Sequence, residues 1–342
     1  MTEPRLTYRD AGVARDAVQA TLMASRDQVR ETHTGAVLGE PGHFAGLFQL
    51  GAFRDPVFVA TIDGVGTKTL LANAANRLPV IGHDAIIHGV NDVAVLGATP
   101  LFALDYVASV KLTPDALEAI LRGVVTACRE EGVALLGGES AEMPGVYAER
   151  GLDVVAAVVG VVERSELTDG SKIRPGDVLI GLASTGLHTN GYSLARAVIT
   201  ARRWSLNDVP GELGTTLADA LLAPHRSYRR ALQALGRAGF LRGAAHITGG
   251  GIGANLARVL PPGCRARVDV GTWEVPRIFA ALAKAGGIPT AEMFATFNMG
   301  LGMIVVTSRD RAGIALDLAQ ANGPKSWIIG EVVSGETGVD VK

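Results

Sequence analysis

The sequence predicts an α/β (α+β) protein of two domains, on three observations. Its 342 residues amount to about two domains of roughly 150 residues each. Short apolar runs rich in β-branched residues empty repeatedly into glycine loops, and helical patterns follow them. Hydrophobic residues make up 48% of the chain and the net charge is −2, which describes buried cores and argues against a nucleic-acid-binding surface. Met1 to Arg5 is polar and no apolar run approaches a membrane span, so neither a signal peptide nor a membrane helix is expected and a cytoplasmic location is. Cys128 and Cys264 lack metal-type spacing and read as buried, reduced thiols.

Residues before about Asp55 are rich in Gly, Arg and Glu and read as a mobile lead-in. Val57 to Ala60 then forms a buried strand that ends in Thr61-Ile-Asp-Gly-Val-Gly-Thr-Lys68. In that loop Asp63 sits where the strand stops, Gly64 and Gly66 let successive N–H groups face an anion, and Lys68 adds a point charge. The spacing is not that of a Walker A loop, and a tight turn with a solvated lysine is the plainer alternative. Asp84 to Leu96 reads as a helix with Ile86, Val90 and Val93 on one face and Asn91 and Asp92 on its flank. Asp84, His88 and Asp92 form an i, i+4, i+8 stripe, costly on an apolar helix unless paired or holding a metal.

Thr113 as N-cap and Pro114 at the first turn open a helix whose apolar stripe runs from Leu117 to Cys128, and Gly132 stops it. Val133 to Leu136 reads as a short strand. Gly137 to Gly145 reads as a second glycine loop, bearing Glu139 and Glu142. Val154 to Val162 is almost wholly apolar and is expected to be buried on both faces. The turn-forming, charged stretch Ser165 to Asp177 marks the domain boundary, giving domains 1–170 and 171–342.

The second half opens with strand Val178 to Ala183, a loop from Ser184 to Ser193 holding His188 and Asn190, and a helix through Leu194, Val198 and Ile199. Strand, glycine loop and helix start together make an anion site. A lone histidine is as often a structural hydrogen-bonder, and for His188 that alternative stands open. A third loop, His246 to Gly253, leads into a helix expected through Leu256, Val259 and Leu260, and Phe297 to Gly302 precedes strand Met303 to Val306. No repeat of fixed period is present.

Tyr8 to Val13, Asp63 to Lys68, Val90-Asn-Asp92, Gly137-Gly-Glu-Ser-Ala-Glu-Met-Pro-Gly145, His188 to Ser193, Thr248 to Gly251 and Phe297 to Gly300, in this order, resemble the phosphoribosylformylglycinamidine cyclo-ligases, or aminoimidazole ribonucleotide synthetases. The resemblance implies a purine-biosynthetic enzyme that uses ATP and Mg²⁺ to close an imidazole ring. It implies a homodimer whose N-terminal sheets join into a barrel. By similarity, Asp63, Asp92 and Glu139 hold Mg²⁺ or ATP phosphates, with Gly64, Gly66, Thr67, Lys68, Asn91, Gly137 and Gly138 beside them. His188, Asn190, Thr248, Gly249, Gly250 and Gly251 face the ribonucleotide, and His188 joins Asp63 and Asp92 in the catalytic set. Arg26 stands where many members carry a lysine near ATP, and Ala254, Ala257 and Ala295 stand where a glutamate, a proline and an arginine are usual. Thiamine-monophosphate kinase or formylglycinamidine ribonucleotide synthetase chemistry, and a non-catalytic nucleotide-binding regulator, are the alternatives.

Overall fold

The computed structural model describes residues 6–8, 10–211 and 213–342. The polar opening Met1 to Arg5, and Arg9 of the first motif, lie outside the described residues. The chain divides into two compact units, the first being Met1–Ala52, Ala60–Gly89 and Pro100–Val159, the second Phe53–Val59, Val90–Thr99 and Gly160–Lys342.

The lead-in is not irregular: α1 (Arg15–Ala24) and α2 (Arg26–Arg30) precede an antiparallel pair, β1 (Val37–Leu38) and β2 (Leu47–Phe48). Its polar sequence hides this because tertiary contacts hold it. Thr32 Oγ1 accepts from the Leu135 N–H at 2.9 Å, and the His33 ring meets the Leu135 carbonyl at 2.9 Å. There follow β3 (Pro56–Gly64), α3 (Lys68–Ala74), α4 (Pro79–Ala94), β4 (Thr99–Ser109), α5 (Pro114–Glu131), β5 (Ala134–Glu142) and β6 (Leu152–Glu163). A four-stranded sheet runs in the order β3-β6-β4-β5, with β4 and β5 parallel.

Helix α5 forms as its sequence directs: Thr113 Oγ1 accepts from the Ala116 N–H at 3.3 Å, and Gly132 closes it in the left-handed region at φ 61°. Three expectations need correction. Strand β3 is not buried along Val57 to Ala60, since only Val59 is buried while Phe58 and Ala60 are exposed. Gly137 and Gly138 do not make a loop, since β5 runs through them to Glu142. Gly138 pairs with Asp105 of β4, and a Cβ there would lie 2.0 Å from Asp105 Oδ1, so the glycine serves close strand approach. Strand β6 is not buried on both faces. Val154, Ala156 and Val158 are buried while Val155, Ala157 and Val159 are half-buried, the alternation of a sheet with one covered face.

The second unit comprises β7 (Val178–Ala183), α6 (Tyr192–Arg202), α7 (Leu217–Leu221), α8 (Arg229–Arg237), β8 (Gly243–His246), α9 (Gly251–Ala257), β9 (Cys264–Val268), α10 (Arg277–Gly286), α11 (Thr290–Thr296), β10 (Leu301–Thr307), α12 (Ala312–Ala321), β11 (Ser326–Ser334) and β12 (Gly338–Val341). Six strands lie in the order β12-β9-β11-β7-β10-β8, antiparallel except for β12 on β9. Both faces are covered. Leu179, Ile304 and Val306 enter one core with Ile252, Leu256 and Trp273, whereas Ile180, Leu182, Met303 and Val305 enter another with Tyr228, Leu232 and Ala315. Helix α9 stops at Ala257, short of the expected Val259 and Leu260, because Pro261 and Pro262 follow. Cys128 and Cys264 are free, buried thiols, and burial raises both of them above the usual thiol range. Among the described residues no helix is long and apolar enough to cross a membrane.

Candidate active site

In the first unit β3 carries Asp63 to its end before the chain turns through Gly66, at φ 63°, into α3. Asp63 is half exposed, at 51% of its side chain, and its two oxygens have different tasks. Oδ1 accepts from the Gly64 N–H at 2.7 Å, and Oδ2 lies 3.1 Å from His88 Nε2. His88, named in the sequence only as part of the stripe with Asp84 and Asp92, is thus paired across to the end of β3. Lys68 is placed differently from expectation. Its ammonium is fully buried and meets Asp84 Oδ2 at 2.5 Å, with both side chains at 0% exposure, so its charge is spent inside the fold and not presented with Thr67 and Gly66 at the turn. Burying either charge without the other would be prohibitive.

A cavity of about 800 Å³ opens in the same unit, bordered by Arg26, His43, Phe44, Asp105, Gly138 and Glu139. Its volume suits a nucleotide. Glu139 stands exposed on this wall beside Gly137. Arg26 reaches it with its Nε–H donating to the Pro41 carbonyl at 2.9 Å. Asp105, only 8% exposed, is pushed up to about 7 by burial. A lone acidic residue in an apolar strand sequence was the signal for it.

In the second unit Asn91 is fully buried and clamps the turn before α8. Its Nδ2–H donates to the Arg226 carbonyl at 2.8 Å, and its Oδ1 accepts from the Tyr228 N–H at 2.9 Å. Asp92 is 27% exposed, and its Oδ1 accepts from His246 Nδ1 at 2.8 Å. A carboxylate only accepts, which puts the proton of His246 on Nδ1. His246, at the end of β8 just ahead of the third glycine loop, was also missed.

That loop is built from its glycines. Gly250 and Gly251 are both left-handed, at φ 93° and 65°, and a Cβ on Gly251 would lie 1.8 Å from the Phe294 carbonyl oxygen. Asn255 locks the turn, its Nδ2 donating to the carbonyls of Thr248, Gly249 and Gly251 at 3.3, 3.2 and 2.9 Å. Asn190 comes alongside, its Oδ1 3.3 Å from where a Gly249 Cβ would stand. Asn190, Thr248, Gly249 and Gly250 are therefore grouped at an accessible edge. His188 is not among them. It is 1% exposed, its ring faces inward against Gly302 and His225, and its Nε2 accepts from the Thr185 N–H at 3.2 Å.

Residues 43–162 match the family described as AIR synthase related protein, N-terminal domain, and residues 174–342 its C-terminal counterpart. The fold is shared with solved structures of low identity. A thiamine-monophosphate kinase from Stenotrophomonas maltophilia K279a superposes with a TM-score of 0.69 over 94% of this chain and 96% of that one, at 19% identity. A hydrogenase maturation protein HypE in complex with ATP gives 0.67 over 94% and 90%, at 18% identity. Within the class, the phosphoribosylformylglycinamidine cyclo-ligase of Geotalea daltonii is 45% identical over 99% of both chains, and that of Citrifermentans bemidjiense 46% identical over 99% and 98%. The chain belongs to the phosphoribosylformylglycinamidine cyclo-ligase family.

Proposed function

We propose that the chain is an ATP-dependent ligase closing 5′-phosphoribosylformylglycinamidine to 5-aminoimidazole ribonucleotide, with release of ADP and phosphate, in purine biosynthesis. The observation that carries this reading is the 45% identity over 99% of both chains to a member of that family; Asp63 in the first unit and Asp92 in the second are each partly exposed and braced by a histidine. The γ-phosphoryl group of ATP passes to the formamide oxygen and ADP leaves. A ring-forming substrate nitrogen then attacks the activated carbon, the carbon–oxygen bond to the phosphate breaks, and the nitrogen loses its proton. Such chemistry asks mainly for positioning and charge stabilisation.

Asp63, Asp92 and Glu139 offer partly or fully exposed oxygen donors, which fit Mg²⁺, a hard cation that keeps several waters. When bound, Mg²⁺ would neutralise charge on the nucleotide's phosphates. Gly64, Gly66, Thr67, Gly137 and Gly138 serve the nucleotide, while Asn190 and Thr248 to Gly251 bind the ribonucleotide. Lys68, Asn91 and His188 act from beneath, holding the turns that carry these groups. Residues 1–170 form the nucleotide and dimerisation domain and 171–342 the substrate domain. A homodimer is supported by Phe58 and Ile62, strand residues left 59% and 71% exposed. Location in the cytoplasm follows from the substrates.

Phosphate release measured with ATP and Mg²⁺ should depend on formylglycinamidine ribonucleotide and give an aminoimidazole product. Release with thiamine monophosphate in its place would overturn the assignment.

A further inference from the structure

The Asp92–His246 pair continues inward. His246 Nε2 lies 3.1 Å from His225 Nε2, and the two residues are 6% and 2% exposed. Two imidazole nitrogens so placed share one proton, one donating and the other accepting. Asp92 decides which. With its Nδ1–H donated to the carboxylate, His246 turns Nε2 to His225 as the acceptor, and His225 carries the shared proton on its own Nε2. His225 is held in turn by its ring face. His188 stacks on it with centroids 4.0 Å apart and planes 23° from parallel. His188 is itself fixed by the Thr185 N–H and by a left-handed backbone at φ 61°, uncommon for a residue with a side chain.

We propose that His225 is a positioning residue: the hydrogen bond it donates holds His246 with Nδ1–H on Asp92 and so sets the direction in which Asp92 presents its other oxygen. The series Thr185, His188, His225, His246, Asp92 ties the turn after β7 to the carboxylate by one backbone N–H, one ring stack and two side-chain hydrogen bonds. This gives the buried His188 a task that fits its inward ring. The three imidazoles also come within 4.8 Å of one another, a spacing that would admit an ion. Stacked rings, however, direct their in-plane lone pairs side by side, whereas a shared metal needs them to converge.

The effect on Mg²⁺ rests on the reading of Asp92 given above; the tautomer does not. Long-range ¹H–¹⁵N spectra of the histidine-labelled enzyme, without nucleotide or metal, report the protonated nitrogen of each ring, with His246 assigned by comparison with His246→Gln. The wild type should show His246 as Nδ1–H and His225 as Nε2–H. His225→Leu fills the space without donating, so His246 should lose its single tautomer. The Mg²⁺ needed for half-maximal turnover should rise roughly 10–100-fold, the usual effect of removing a group that braces a ligand. His225→Gln, which donates from a similar position, should bring both readouts back towards the wild type, and it keeps the test decisive if the leucine variant fails to fold. Finding His246 as Nε2–H in the wild type, or an unchanged Mg²⁺ requirement in folded His225→Leu, overturns the proposal. Absence of any turnover in the wild type would sink the functional reading and leave the tautomer measurement to decide on His225.

Discussion

Two acidic groups, Asp84 of the first unit and Asp92 of the second, are held in different ways. The first buries a full ion pair, Lys68 with Asp84, at 0% exposure, and the second braces Asp92 with a chain of imidazoles and clamps its turns with the amides of Asn91 and Asn255. A buried ion pair is sound only while both partners are present, because either charge alone is stranded in a poorly polarisable interior. A neutral network fails more gently, one hydrogen bond at a time. The first unit should therefore be brittle around its turn, and the second tolerant in fold but sensitive in function.

The sharpest way to break this contrast is Lys68→Met, which takes from buried Asp84 the ammonium that meets its Oδ2. It should destabilise the protein by about 3–5 kcal/mol, and Lys68→Met with Asp84→Leu should recover much of that loss; denaturant melts on both would decide. Next is Asp92→Asn, which should leave the melting temperature nearly unchanged while turnover falls on the order of 100-fold. A comparable loss of fold would erase the difference between the units.

Asp105 sharpens the contrast through pH. Its folded pKa, raised to about 7 by burial, lies above the unfolded value near 3.9. The stability it contributes is thus complete below about pH 4 and is lost as pH rises through 7. The wild type should weaken by on the order of 2 kcal/mol between pH 5 and 8 from this group, and Asp105→Asn should lack that part of the slope. Equal slopes in pH-dependent melts would remove Asp105 as the source. The smallest effect is expected for Asn255→Ala, about 1 kcal/mol, seen with a several-fold rise in KM for the ribonucleotide as the glycine turn loosens. A loss as large as that of Lys68→Met would contradict the gentle failure of amide networks.

Much of the fold was legible because local signals agreed with tertiary need. Thr113, Pro114 and Gly132 bracket α5, and β7 begins and ends where its apolar run does. The failures share one cause, side chains whose meaning is set by a distant neighbour. Gly138 looks like a turn residue until Asp105 is seen to fill its missing side chain's space, and α1 and α2 look like loop until α5 is placed beside them. The candidate site divides likewise. Asp63, Asp92 and the Thr248 loop could be read from spacing, since strand ends and glycines advertise accessible backbone. That Lys68 turns inward, that Asn91 grips Arg226 and Tyr228, and that His246 and not His188 reaches the carboxylate depend on folding geometry that no spacing encodes.

The two thiols carry a practical consequence. Cys128 is sealed in α5 at 0% exposure and Cys264 in β9 at 3%, and burial disfavours the reactive thiolate of both. The folded chain is thus silent to thiol-directed dyes, and one introduced cysteine becomes a clean attachment point. Placed at exposed Phe44, on the rim of the 800 Å³ cavity, a fluorophore on Phe44→Cys would register a nucleotide entering that space by emission alone, with no turnover required.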